Sequence, residues 1–587
     1  MKVGIDFGST YSTAAVYNRT EDRVEALSMV EGESASVPSV VSISKKGKVT
    51  CGKAAKEQVG KKTVRTFEAF KMLLTEPDGE MMRRRGYDAE CTPRYMTKLF
   101  LDSLLKGALA RYPEEEIDDV IVCVPEIWGK NMRTLDGRSI LRSVIKDELE
   151  VPVRHVRVVT EPEAASAFFA YNYEKETGNN FNGYLLLIDY GGGTLDITLT
   201  EVRSDGSGKM EISYREGGGA GENHPGEGGA GTIGSAGVAF MQGVIVRALL
   251  EQGLCASADD VDYASPAFLA AVRELEGQMK NADRMAEIED FFGSFGSGYR
   301  ELEDVLEEPS TEFISVEYEE EELQITFQQL YATYADIIED VLQAQINEIN
   351  ARVRDWIGAD PCEPAAGERD DFKIAVVGGF GAFYLVKRQL GEIYRLDVNE
   401  KIDRRTKNIS AGKREQAIAL GAALLAGGKV VLKKTSRYSI GLYTAGADRI
   451  YHLHYGIRYH QIVEPGRAYF LLRDETQPDA PENRILFGAL HGKLTQFAIE
   501  FTESAQRGGL MALNPDMVRQ LEEKIPSEGF WNCGFSLDES DIVSLHLVSR
   551  SLFGNDVPGK EIVIPLDSYR GMFNQTTNEE VTVEDEI

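Results

Sequence analysis

Basic residues are scarce in this chain: 64 lysines and arginines stand against 95 aspartates and glutamates, for a net charge of −31. That balance repels phosphate backbones and anionic lipid surfaces, which argues against a general nucleic-acid or membrane-surface binder. Long apolar runs are missing as well. None approaches the roughly 18 residues of a membrane span. The chain also opens on a strand pattern, not on a charged segment followed by an apolar one, so a soluble, cytoplasmic protein is expected. Its six cysteines, Cys51, Cys91, Cys123, Cys255, Cys362 and Cys533, are scattered without a C-x-x-C pair, which suits reduced thiols and offers no zinc pattern. Histidine numbers only seven. His452 and His454 share one face of a strand pattern with His460 across a turn, but no carboxylate or cysteine completes a metal-ligand set.

What the chain does have is one unusual stretch, Leu185-Leu186-Leu187-Ile188-Asp189-Tyr190-Gly191-Gly192-Gly193-Thr194-Leu195-Asp196-Ile197-Thr198-Leu199-Thr200. A short apolar strand ends at an aspartate, turns on three glycines and leaves as an alternating strand. Residues without Cβ let backbone N–H groups approach an anion, and Thr194 adds a hydroxyl. Asp189 and Asp196 flank the turn, where carboxylates could hold hydrated Mg²⁺. An ordinary tight hairpin would account for the same residues one at a time. The pattern recurs, however, at the amino terminus: Val3-Gly4-Ile5-Asp6-Phe7-Gly8-Ser9-Thr10-Tyr11-Ser12-Thr13 again reads strand, aspartate, glycine with hydroxyls, strand. Two such hairpins imply two similar lobes. A third signal, Phe372 to Val377 breaking into Gly378-Gly379 before a helical pattern over Tyr384 to Tyr394, completes the set.

In this order the set resembles the ATPase lobe pair shared by actin, sugar kinases and the DnaK-type heat shock protein 70 chaperones. Further stretches resemble the chaperone branch: Gly52 to Val59 with Thr66 to Leu74, Val122 to Trp128, Val159 to Phe168, and Glu415 to Leu424. The resemblance implies an α/β fold with two actin-like, ribonuclease-H-like lobes followed by a smaller β-rich domain. It also implies ATP or ADP with Mg²⁺ as cofactors, and slow hydrolysis. Asp6 and Asp189 would hold the metal through its waters. Gly8, Ser9, Thr10 and Tyr11, with Gly191, Gly192, Gly193 and Thr194, would clamp the phosphates. Lys71, Glu161, Asp189 and Thr194 would carry the chemistry. Gly231, Gly234 and Ser235 resemble a second phosphate turn. Glu276, Lys280, Gly378, Gly379 and Phe380 fall where the family contacts ribose and adenine, although Glu276 and Lys280 read equally well as an i, i+4 surface ion pair. The family's adenine-stacking arginine is absent, since Phe380-Gly381-Ala382 follows the double glycine.

At 587 residues the chain needs more than one core. The expected boundaries are an ATPase domain over 1–428, with a first lobe to about 180 and a second over 181–375 plus return helices. A linker over 429–437, a β-rich domain over 438–573 and an acidic tail over 574–587 follow. Helices are expected near 53–74, 94–111, 131–149, 162–175, 266–287, 323–356 and 516–524. Residues 217–231 read as a glycine-rich loop and 299–322 as a solvated acidic stretch. The resemblance further implies a chaperone-like switch whose β module binds unfolded peptide or protein, aided by a co-chaperone or nucleotide-exchange partner. The family's helical lid has no counterpart, which keeps open a scaffold for one dedicated partner. A polymerising actin-like ATPase and a metabolite kinase are the other readings.

Overall fold

The computed structural model describes residues 1–30, 32–76, 79–129, 137–204, 209–221, 236–296, 301–363, 369–394, 415–437, 439–445, 451–474, 476, 481–488, 498–502, 511–512, 523–525, 528–551 and 556–566. The chain divides into two compact units, one of Met1–Lys130 and Ile140–Leu432, the other of Asn131–Ser139 and Lys433–Ile587.

The first unit is a duplicated α/β fold. Its first sheet contains β1 (Lys2–Phe7), β2 (Tyr11–Asn18), β3 (Arg23–Leu27), β4 (Ile117–Val124) and β5 (Val153–Thr160), in the order β3-β2-β1-β4-β5. The pairs β1–β2 and β2–β3 are antiparallel, whereas β4 runs parallel to β1. The second sheet repeats the plan with β6 (Gly183–Tyr190), β7 (Leu195–Ser204), β8 (Met210–Ala220) and β9 (Phe372–Val377): β6–β7–β8 is an antiparallel meander, and β9 is parallel to β6. A further strand, β10 (Val430–Lys433), lies beside β8. The two aspartates of the repeated motif occupy equivalent places, Asp6 opposite Thr13 and Asp189 opposite Asp196, each one residue before its strand ends.

Three apolar clusters hold this unit together. One fills each lobe, and the third joins them through α1 (Glu161–Thr177) and α2 (Ala417–Gly427). Every residue of Ala417–Gly427 is buried, as expected of a helix apolar on all sides. Glycine permits the crossing: a Cβ on Gly421 would lie 1.7 Å from the Ala164 carbonyl oxygen. The amino terminus of α1 is fixed by a capping box between Thr160 and Glu163 with Pro162 in its first turn, which sets the position of Glu161.

Several expected elements differ. Only Lys53–Lys56 of the 53–74 segment is α-helical, because Gly60 takes φ 85° and Val64–Phe67 forms a strand. The expected helix over 266–287 is two, Pro266–Met279 and Ala282–Gly293, separated where Asn281 caps the second. Over 323–356 the start is a strand, Glu321–Thr326, which pairs with Glu312–Tyr318 in the stretch expected to be only a solvated face. Gly217–Ala220 is the end of β8, not loop: a Cβ on Gly219 would meet the Leu195 carbonyl oxygen at 2.2 Å, so the glycines allow close strand approach.

The second unit has two antiparallel sheets. One contains β11 (Ser439–Ala445), β12 (Tyr451–Ile457) and β13 (Ala498–Thr502), with β11 in the middle. The other runs from Tyr469–Phe470 through β14 (Phe530–Leu537) and β15 (Val543–Arg550) to β16 (Asp556–Pro565). Alternate residues of β14 and β15, among them Trp531, Cys533, Phe535, Leu545 and Leu547, form its core. Asp541, buried in this unit, forms ion pairs of 2.7 Å with both Lys434 and Arg437. Burial alone would raise its carboxyl, but these cations hold it well below the usual range. The helix expected over 516–524 and the tail over 574–587 lie mostly or wholly outside the described residues. No helix among the described residues is long and apolar enough to cross a membrane.

Candidate functional site

A cavity of about 1390 Å³ runs between the lobes of the first unit, and both glycine tips open onto it. The tips meet at close range. A Cβ on Gly192 would fall 2.2 Å from Thr10 Oγ1, and one on Gly193 would fall 2.4 Å from Ser9 Oγ. The second tip is tied to a helix start: Val238 N donates to Gly192 O at 2.7 Å, at the beginning of α3 (Gly237–Glu251). On the third side, Gly378 takes φ 82° at the end of β9, where a Cβ would lie 2.4 Å from the Tyr190 carbonyl oxygen. Backbone therefore approaches the cavity from three loops, as a phosphate cradle requires.

Beneath the tips lies a buried charged group. The ammonium of Lys71 is hydrogen-bonded to Glu161 Oε1, and it sits 5.8 Å from the centre of the Trp128 ring and 5.9 Å from that of Phe7. Burial would lower the lysine's pKa, but Glu161 and Asp6 outweigh it and hold the side chain charged. Asp6 is pushed up to about 7 by burial and by the Glu161 carboxylate, against the pull of Lys71. Asp189 and Asp196 are also raised well above the usual carboxylate range, by burial first and by neighbouring carboxylates second. Asp196 accepts hydrogen bonds from the Thr194 hydroxyl and the Glu126 backbone N–H, both at 2.9 Å. Asp189 Oδ2, by contrast, is buried without a hydrogen-bond partner. A buried carboxylate oxygen without a hydrogen-bond partner beside a second acid whose ionisation is suppressed fits a cation-binding role, so Asp6 and Asp189 suit Mg²⁺ held through its waters.

The far end of the cleft is closed by ion pairing. Glu276 accepts from Lys280 at 2.8 Å and from Lys56 at 2.6 Å, and the two lysines flank the Tyr11 ring at 3.8 and 4.9 Å from its centre. The i, i+4 pair expected from the sequence is real, and Glu276 also bridges to the first lobe. Burial would raise this acid, but the two lysines bring it below its usual value. A second bridge pairs Arg85 with Gln242 at 2.9 Å and stacks it over Tyr263 at 4.3 Å. Sequence reasoning missed Lys56 and Arg85, whose partners are more than 150 residues away. It also missed Trp128, whose only signal was its place after Val122 to Pro125.

The Phe380 ring packs against Tyr190, Phe240 and Phe383 with centroids 5.1 to 5.5 Å apart, so its side chain serves the core while the residue still borders the cavity. Gly231, Gly234 and Ser235 lie outside the described residues. Among those described, no group of three or more histidines, cysteines or acids is placed to ligate a metal directly, His454 and His460 included.

Comparison with known proteins adds to this geometry. The family model described as "Hsp70 protein" matches residues 2–84. The chain is similar to "Chaperone protein DnaK" of Nitrosopumilus maritimus, 30% identical over 220 residues, covering 37% of this chain and 31% of the relative. The DnaK of Thermotoga neapolitana is 31% identical over 224 residues, 38% and 33% of the two chains. "Movement protein Hsp70h" of Lettuce infectious yellows virus is 27% identical over 222 residues, 34% and 37%. The aligned part spans about a third of the length of these relatives.

Proposed function

We propose that the chain is a member of the Hsp70 family, and from that premise that its first unit binds ATP and ADP with Mg²⁺ and hydrolyses ATP slowly. The observation that carries this reading is the pair of opposed glycine tips above the Lys71, Glu161, Asp6 and Asp189 cluster. Gly8, Ser9, Thr10 and Gly191 to Thr194 clamp the β- and γ-phosphates from opposite lobes. Lys71 reaches the γ-phosphate and the attacking water, and Glu161 holds its ammonium in place. Asp6 and Asp189 would hold Mg²⁺ through its waters, and the ion would supply positive charge beside the polyphosphate. Little covalent work is left for the protein, because phosphoryl transfer is mainly positioning and charge stabilisation. Gly378, Gly379 and the Glu276–Lys280 pair border the nucleoside end, and Phe380 contributes backbone there.

The β-rich unit is the partner-binding module, and nucleotide state controls its hold on protein or unfolded peptide through 429–437, assisted by a co-chaperone or exchange factor in the cytoplasm. A dedicated partner is the second reading, favoured by similarity to a viral protein named for movement. Single-turnover hydrolysis tests the core of the proposal. Lys71→Ala should lower the rate by about 10²–10³-fold, the usual effect of deleting one electrostatic stabiliser, while leaving ADP binding measurable. An unchanged rate in the mutant removes Lys71 from the chemistry. Acceleration by an unfolded polypeptide supports the chaperone-like reading, whereas acceleration only by one captured protein supports the dedicated one.

A further inference from the structure

The second sheet of the β-rich unit carries three side chains that the nucleotide site does not use. In its register Ser536 pairs with Ser544, His546 with Gly534 and Val563, and Glu561 with Val548. Directly paired residues share a face, and faces alternate along each strand. Ser536, His546 and Glu561 therefore stand on one face, opposite the one that sends Phe535, Leu545 and Ile564 into the core. They are diagonal neighbours on three adjacent strands, and they meet: Ser536 Oγ lies 2.7 Å from His546 Nε2, and His546 Nδ1 lies 2.9 Å from Glu561 Oε1.

With Glu561 ionised and His546 neutral, the chain of hydrogen bonds has one direction. An ionised carboxylate can only accept, so Nδ1 carries the proton and donates it to Glu561. In the neutral imidazole Nε2 is then the acceptor, and the serine hydroxyl must donate to it. A serine whose proton points at an unprotonated ring nitrogen, with the ring held by a carboxylate, is the arrangement that activates a nucleophile. A buried serine needing only a partner would be served by any carbonyl and by either tautomer. Exposure is graded along the chain: Ser536 is 4% and His546 7% exposed, while the Glu561 side chain is 54% exposed. The nucleophile and base are thus shielded from bulk water, and the triad opens to solvent on its Glu561 side.

We propose that Ser536, His546 and Glu561 form a nucleophilic triad in the β-rich unit that takes acyl groups from small activated esters. Ser536 Oγ attacks the ester carbonyl carbon while Nε2 takes its proton. The carbon–oxygen bond of the ester breaks, and the alcohol leaves with that proton. Water then attacks the acyl-serine with Nε2 again as base, releasing the carboxylic acid and restoring the serine. Ester and water become acid and alcohol. Ser536 and His546 are the catalytic residues, and Glu561 is a positioning residue that acts through the ring.

The test uses the full-length protein, a biotinylated fluorophosphonate and p-nitrophenyl acetate. Mass spectrometry of tryptic peptides should place one phosphonate on Ser536, with fluoride lost. Ser536→Ala should abolish labelling, and His546→Gln should slow it and the esterase activity by about 10²–10⁴-fold, the range for a lost general base. Glu561→Gln should slow both, and Glu561→Asp should recover part of the rate, which loss of a merely structural contact would not produce. Thermal melting followed by circular dichroism checks that each variant folds. If His546→Gln unfolds, Ser536→Cys provides the second reading: its alkylation by iodoacetamide should be faster than that of Cys533 in the same protein. No phosphonate on Ser536 of the folded wild type, or labelling indifferent to His546→Gln, overturns the proposal. The ATPase reading is untouched by either result, because all three residues belong to the second unit.

Discussion

Removing the Lys56 ammonium tests whether the cleft is latched. Lys56 Nζ lies 2.6 Å from Glu276 Oε2, and the two side chains are only 17% and 16% exposed. Exposed ion pairs are worth about 0.2–1 kcal/mol, and breaking a fully buried pair costs about 3–5 kcal/mol because it strands a charge. This pair lies between those limits. Lys56→Ala does not strand Glu276, since Lys280 still holds its other oxygen at 2.8 Å, so the cost falls near the lower side, about 1–2 kcal/mol. If opening of the lobes limits nucleotide release, ADP should leave roughly 5–30 times faster. Stopped-flow displacement of a fluorescent ADP analogue measures that rate directly. Glu276→Gln should release ADP at least as fast, because it leaves Lys56 without its carboxylate partner, and the double mutant should be little faster than Glu276→Gln alone, because the two side chains share one interaction. At 1 M salt, where screening acts within about 3 Å, the difference between wild type and mutant should narrow. An ADP release rate unchanged by Lys56→Ala, or fully additive mutations, would refute the latch.

Two other outcomes follow from the site. Gly8→Ala should weaken nucleotide binding by at least about tenfold in calorimetry with modest change in overall fold, because the added Cβ would lie 2.1 Å from the Tyr11 carbonyl oxygen and the tip must distort by more than overpacking normally tolerates, about 1–3 kcal/mol. Asp6 has a carboxyl pushed from 3.8 to about 7, so between those values the native state keeps a proton that the unfolded chain has released, and stability falls as pH rises through that window. At about 1.4 kcal/mol per pH unit the penalty is roughly 4 kcal/mol at most. A cation at Asp6 and Asp189 relieves it, so the gain in melting temperature on adding Mg²⁺ and ADP should grow from pH 5 to pH 8, and a gain independent of pH would contradict the assignment.

The two-lobed plan was legible because it rests on a local, repeated signal. Strand, aspartate, glycine turn and strand occur at Val3 to Thr13 and again at Leu185 to Thr200, and both become the β1–β2 and β6–β7 hairpins with their aspartates in equivalent register. Helix boundaries were less legible where two periodicities coincide. Leu323 and Ile325 fit the apolar stripe of the following helix, yet both are buried from a strand that pairs with Glu312–Tyr318. The run Gly217 to Gly219 looked like loop because glycine marks turns, whereas here it allows β8 to lie close against β7. Lys56–Glu276 and Arg85–Gln242 left no trace at all, since each joins residues far apart in the sequence that only the tertiary fold brings together.

The site is electrostatically uncomfortable for a protein selected for stability alone. Asp6, Asp189, Asp196 and Glu161 converge on a buried region where Lys71 is the cation bonded to Glu161, and the three aspartates are driven toward their protonated forms by burial and mutual repulsion. Selection for stability alone would replace such groups with apolar or amide side chains of similar size. Their arrangement is also uneven in a telling way. Asp196 has its oxygens satisfied by Thr194 and the Glu126 N–H, so it braces the turn, whereas Asp189 keeps one buried oxygen without a partner. Carboxylates beneath and backbone donors above divide the cavity into a cation side and an anion side. A metal–polyphosphate complex presents both charges together, and a simple anion or a bare metal ion would satisfy only half of the site.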